Sequence, residues 1–273
     1  WTWKAYAADG ANRIYGIDAE HHRVVVLDAE GWRLATFGKA VRQGGTLAAP
    51  LALAVQPDGA ALAVLDSDTL QISRFDTATG TSVVFGGPGK GDGQFDSPVS
   101  VAMDQDGRCY VLDVGLHRVS VFDAKGRFEH HFGRYERGEA PDLLRAPRLV
   151  TVSCDSGTVF VYDEDTSLIK AFAIDHATNQ VRHLGNVGGR GVGPGQFSRL
   201  TGMGCDRRGR LYCLDYKRAD LQVFDTAAPV PTLLTTLRGE QASIRKMLLL
   251  ALHPDGIPYI IGGDQFTGLH WGP

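Results

Sequence analysis

The sequence predicts an all-β fold of six four-stranded antiparallel blades, a β-propeller, and three observations carry that prediction. Short apolar runs end in aspartate six times, at Asp18, Asp66, Asp113, Asp163, Asp215 and Asp264, with gaps of 48, 47, 50, 52 and 49 residues. A period near fifty, assembled from short strands and turns, is the pattern of one four-stranded blade per repeat. The second observation is a turn signal within the units, at Asp58-Gly59, Asp106-Gly107, Asp155-Ser156-Gly157, Arg208-Gly209 and Asp255-Gly256. Each is placed to reverse a first strand onto a second. The third is a set of inner strands that are apolar or small on both faces, such as Leu51-Ala52-Leu53-Ala54-Val55 and Leu248-Leu249-Leu250-Ala251-Leu252. A blade packed between two neighbours requires such doubly buried strands.

The third unit spells out the elements in order. Residues 99–103 form its first strand, the Asp-Gly turn reverses the chain, and residues 109–112 return beside it. A third strand runs through residues 119–122, Lys125-Gly126 turns, and residues 128–132 make the outer edge. Val26-Leu27-Asp28, Arg74-Phe75-Asp76 and Val223-Phe224-Asp225 close the third strand of other units. At 273 residues, six blades of about 45 residues each account for the chain, so residues 1–273 are expected to form one domain. A hydrophobic fraction of 43% with 34 glycines suits a turn-rich all-β fold. The chain holds no apolar run long enough to span a membrane as a helix.

The pattern resembles the NHL-repeat family of six-bladed propellers. The resemblance rests on Gly91-Asp92-Gly93-Gln94-Phe95-Asp96-Ser97-Pro98, Tyr110-Val111-Leu112-Asp113, Leu116-His117-Arg118-Val119-Ser120-Val121-Phe122-Asp123 and Phe132-Gly133. Gly191-Val192-Gly193-Pro194-Gly195-Gln196-Phe197 repeats the first linker. It covers nearly the whole chain and implies a fold rather than one activity, because the family spans lyases, protein-binding modules and RNA-binding modules.

The ends raise an expectation of their own. Trp3 begins a first strand, while the sixth unit offers strands at 259–262 and 269–271 and no clear outer strand, so its edge is expected to be three-stranded or completed by another segment. A start at Trp1 suggests a processed form and leans toward an extracytoplasmic protein. The four cysteines lean the other way, since none faces another across an expected hairpin, and they are read as buried thiols. The compartment stays open.

The glycine-rich linkers lack the helix N-terminus of a phosphate cradle and are read as blade connections. The six aspartates are read as acceptors for backbone N–H groups of the turn that follows, rather than as a metal ring. His22 and His117 each lie four residues after their unit's aspartate and precede an arginine, where other units carry Leu70, Ser167 and Ala219. Peptidylglycine amidating lyases of the same fold hold zinc with three histidines, and two candidates fall short of three protein ligands. Gly-x-Ser-x-Gly is absent. With no complete catalytic set, the expected function is a non-catalytic module recognising a protein partner or an extended or anionic ligand. The alternative is a metal-dependent lyase or hydrolase at the channel mouth, holding zinc or calcium.

Linkers and second-to-third-strand loops share one propeller face, where ligands commonly sit. Arg148, Arg199 and Arg245 stand near the starts of inner strands in the fourth, fifth and sixth units. Together with Tyr216, His22 and His117 they form the candidate binding set. A net charge of −3 argues against general nucleic-acid binding, which calls for a basic footprint.

Overall fold

A computed structural model describes residues 3–38, 46–136, 140–155, 157–238, 247–256, 258–262 and 265–268. The chain divides into two compact units, Trp1–Arg134 and Tyr135–Pro273.

The first unit holds three four-stranded antiparallel sheets. The first sheet orders Trp3–Ala8 (β1), Ile14–Asp18 (β2), Arg23–Leu27 (β3) and Arg33–Phe37 (β4). The second orders Pro50–Val55 (β5), Ala61–Asp66 (β6), Gln71–Asp76 (β7) and Ser82–Gly86 (β8), and the third Pro98–Met103 (β9), Cys109–Asp113 (β10), Arg118–Phe122 (β11) and Phe128–Phe132 (β12). Strand β6 shows why an inner strand must be apolar throughout: all six of its residues are buried. Leu62 and Val64 join a core with Tyr15, Ile17 and Phe37, while Ala63 and Leu65 point the other way into a core with Phe95, Val111 and Phe122. Alternation along a strand sends successive side chains to opposite faces, so here each face meets a neighbouring sheet.

The second unit repeats the plan. Pro147–Val152 (β13), Thr158–Asp163 (β14), Leu168–Asp175 (β15) and Gln180–Gly188 (β16) form one sheet, and Leu200–Cys205 (β17), Arg210–Asp215 (β18), Asp220–Asp225 (β19) and Thr232–Arg238 (β20) the next. Phe160, Tyr162 and Ile169 pack with Phe197, Leu211 and Phe224 between these sheets. Met247–Leu252 (β21), Pro258–Gly262 (β22) and Gln265–Gly268 (β23) form a third sheet, which among the described residues has three strands.

The sixth repeat needs two corrections. Its third strand is Gln265–Gly268, ahead of the expected 269–271, which lies outside the described residues. Asp264 also lies outside them, and register assigns the equivalent position to Gly262. Gly262 pairs with Met247 as Asp215 pairs with Leu200 and Asp163 with Pro147. The aspartate therefore recurs at equivalent strand ends five times among the described residues, at Asp18, Asp66, Asp113, Asp163 and Asp215.

Two glycine-rich linkers fold alike. Each forms a parallel bridge, Pro88 with Phe95 and Arg190 with Phe197, which drops a fully buried phenyl ring into the core. Gly86 and Gly188, at φ +88° and +111°, leave the space that these rings fill, since a Cβ at either would collide with Phe95 or Phe197. Among the described residues, no helix is long and apolar enough to cross a membrane.

Candidate functional site

In the five blades that carry it, the strand-end aspartate organises the loop face. The Asp66 carboxylate accepts hydrogen bonds from Asp68 and Thr69 in the following turn, as expected, and also from Ala48 and Ala49 in the linker that leads into β5. Asp113 does the same with Leu116, Asp96 and Ser97, Asp163 with Thr166, Arg145 and Ala146, and Asp215 with Arg218, Ser198 and Arg199. Burial raises the Asp66 pKa, but the four backbone donors outweigh it and hold the carboxyl below its usual value. Asp18 differs, because it takes side-chain partners, His21 at 2.9 Å and Arg23 at 2.8 Å.

Basic side chains of the third strands or their loops then tie the linkers down. Arg118 Nη2 donates to the carbonyls of Gly91 and Gln94, Lys170 Nζ to those of Pro141 and Leu143, and Arg218 Nη1 to those of Gly193 and Gln196. Arg218 is also paired with Asp220 at 2.8 Å and is almost fully buried. It therefore belongs to the framework of the face, not to its solvent-facing cations.

His22 and His117 fall at one recurring turn position. Their φ values, 51° and 52°, match those of Leu70, Ser167 and Ala219 at 52°, 55° and 51°. A left-handed residue is needed here whatever its side chain, so the position selects for backbone conformation. Among the described residues, no three His, Cys, Asp or Glu side chains are grouped to hold a metal ion.

Arg148 and Arg199, by contrast, are brought together. Arg148 Nε lies 2.9 Å from one oxygen of Glu164, and Arg199 Nε lies 3.7 Å from the other. One carboxylate thus bridges guanidinium groups from two adjacent blades. All three side chains stay open to solvent, at 51%, 56% and 36% exposure. Beside them, Arg145 sits 3.7 Å from Asp165, and Arg190 donates to the Asp165 carbonyl at 3.4 Å. Tyr216, 39% exposed, donates its backbone N–H to the Arg199 carbonyl at 3.0 Å. Val192 is 75% exposed on the linker that Arg218 fastens to the Tyr216 loop. Arg245 lies outside the described residues.

Sequence reasoning missed two features of the structure. The first is the bridging of Arg148 and Arg199 by Glu164, which arises only when blades four and five pack. The second is on the opposite turns, where Asp9, Asp104 and Asp206 each accept two backbone N–H groups and the hydroxyl of a buried tyrosine, Tyr15, Tyr110 or Tyr212. Its signal was present as a repeated Asp-x-x-x-Arg-x-Tyr spacing. All four cysteines are free thiols, as expected, but only Cys109 and Cys213 are buried, whereas Cys154 and Cys205 are half-buried.

No family model matches the chain. A stretch of 77 residues is 38% identical to Protein brain tumor of Drosophila melanogaster, an NHL-repeat protein, and spans 28% of this chain but 7% of that relative. Among solved structures, a streptogramin B lyase superposes with a TM-score of 0.62 at 10% identity, covering 99% of this chain and 84% of that one. A chain of a nidogen–laminin complex superposes with a TM-score of 0.57 at 18% identity, covering 87% and 80%. At such identities the structural likeness speaks for the fold alone. The chain is a β-propeller of four-stranded antiparallel blades. Its repeats are NHL-like.

Proposed function

We propose that residues 1–273 form a single six-bladed propeller domain that acts as a non-catalytic binding module and receives a protein partner on its linker-bearing face. The observation that carries this reading is the shared contact of Arg148 and Arg199 with Glu164, solvent-open on segments that also expose Tyr216 and Val192. Apolar side chains exposed among arginines are the composition of a protein-docking surface. The match to a fragment of an NHL-repeat protein agrees with it, since such propellers often bind proteins. No observation favours a metal-dependent lyase or hydrolase, because the histidines it would use occupy a turn position that Leu70, Ser167 and Ala219 fill equally well.

Site-specific photocrosslinking tests the reading. A benzophenone amino acid is placed at position 216, and separately at position 106 on the opposite turns, in extract of the source cells. One discrete crosslinked protein from position 216, lost when Arg148 and Arg199 are both alanine, is the expected result. Crosslinks from position 106 alone, or insensitivity to the arginines, would overturn it.

A further inference from the structure

We infer that Glu164 is an internal stand-in for a carboxylate of the partner, so that the site takes an acidic polypeptide segment by exchanging one carboxylate for another. The inference rests on the binding reading above and adds the chemistry of the occupant and the group that competes with it.

Glu164 and Arg199 are held by backbone hydrogen bonds and Arg148 sits in β13 between the paired residues Pro147 and Leu149, while the charged ends of all three stand open to solvent. Glu164 donates its N–H to the Ala146 carbonyl at 2.9 Å, and Arg199 donates its own to Asp215. The Glu164 carboxylate can therefore swing away without moving any strand. What it leaves behind is a pair of guanidinium groups held on adjacent blades, each a planar fork matched to a carboxylate. An exposed ion pair resists such an exchange only weakly.

The surroundings favour a polypeptide over a nucleic acid. Arg145, Arg148, Arg190 and Arg199 alternate with Glu164 and the exposed Asp165, so a continuous phosphate backbone would meet repulsion where separated carboxylates would not. Tyr216 and Val192 add apolar surface suited to side chains that flank an acidic residue.

The test uses a fluorescein-labelled peptide of alternating Glu and Ser, its Gln and Ser counterpart, and a short single-stranded RNA, with affinity read by fluorescence anisotropy at low and physiological salt. We expect the acidic peptide alone to bind. Glu164→Gln should tighten it about three- to fivefold, the most that relief from an exposed ion pair allows, and Arg148→Ala or Arg199→Ala should weaken it about tenfold or more. Asp58→Asn, which changes the net charge equally, should leave affinity unaltered, and unfolding midpoints confirm that each variant is folded. If the arginine variants lose binding while Glu164→Gln is no tighter than wild type or than Asp58→Asn, the stand-in role falls and the binding reading stands. If neither wild type nor Glu164→Gln binds the peptide, the acidic occupant is wrong, and the crosslinks from position 216 decide whether the binding reading falls with it. RNA binding tighter than the peptide and dependent on Arg148 would replace the polypeptide by a nucleic acid.

Discussion

The carboxylate of Asp113 accepts the backbone N–H of Ser97, 16 residues earlier, at 3.1 Å. Through that bond and its partners at Asp96 and Leu116, one buried side chain fastens the incoming linker and the outgoing turn of the third blade to the same strand end.

Replacing Asp113 with alanine strands three backbone donors, so we expect a loss of about 2–3 kcal/mol in unfolding free energy. Asp58→Ala, which removes an exposed acceptor for Ala60, should cost well under half of that. Urea titration of both variants checks the contrast, and equal losses would refute the clamp.

Asp66 makes the stability of its blade acid-sensitive. Its folded pKa lies below the ordinary value of 3.8, because its backbone donors favour the carboxylate over the acid. The stabilisation is therefore complete above the unfolded value and is lost as the pH falls through the folded one. The stability gap between wild type and Asp66→Asn should be widest near neutrality and narrow below about pH 4. Denaturation midpoints across that range measure it, and a gap that stays constant to pH 2 would contradict the assignment.

Arg118 should matter through the linker it grips. Arg118→Ala removes a charged donor from the carbonyls of Gly91 and Gln94 and is expected to cost about 2 kcal/mol. It should also speed amide exchange at Phe95, whose N–H donates to Gly87. Arg118→Lys should restore part of the loss, since Lys170 performs the equivalent task in the fourth blade. Unaltered exchange at Phe95 in the alanine variant would exclude the grip.

The left-handed turn gives a separate test at His22. A residue retained for its φ of 51° should tolerate glycine, with stability within about 1 kcal/mol of wild type, whereas Val should lose more than about 1 kcal/mol. Thermal unfolding distinguishes the two, and a larger loss for glycine than for valine would show that the imidazole itself is required.

Much of the fold was legible because short-range chemistry determines it. The outer strand over Phe128–Phe132 and the reversal at Asp106-Gly107 follow from alternation and turn preference, and both stand where the sequence predicts them. Spacing failed at Asp264, where counting residues chose an aspartate and strand register chose Gly262. The site was only half legible. Arg148 and Arg199 were visible as strand-entry cations, yet Glu164 joins them across 16 and 35 residues of sequence through the packing of two blades. The linker grips were hidden for a related reason. Arg118, Lys170 and Arg218 reach neighbouring carbonyls from three different repeat positions, so no periodic residue marks the task.

The clamp in the fourth blade separates the shape of the loop from its surface. Asp163 holds Arg145, Ala146 and Thr166 through their N–H groups, a contact that any non-proline residue supplies. Substitution at Arg145, Arg148, Glu164 or Asp165 therefore rewrites what the blade presents to solvent while the chain path beneath is preserved. A scaffold of this kind acquires new specificities one side chain at a time, and it is an apt starting point for grafting recognition surfaces onto a blade that already folds.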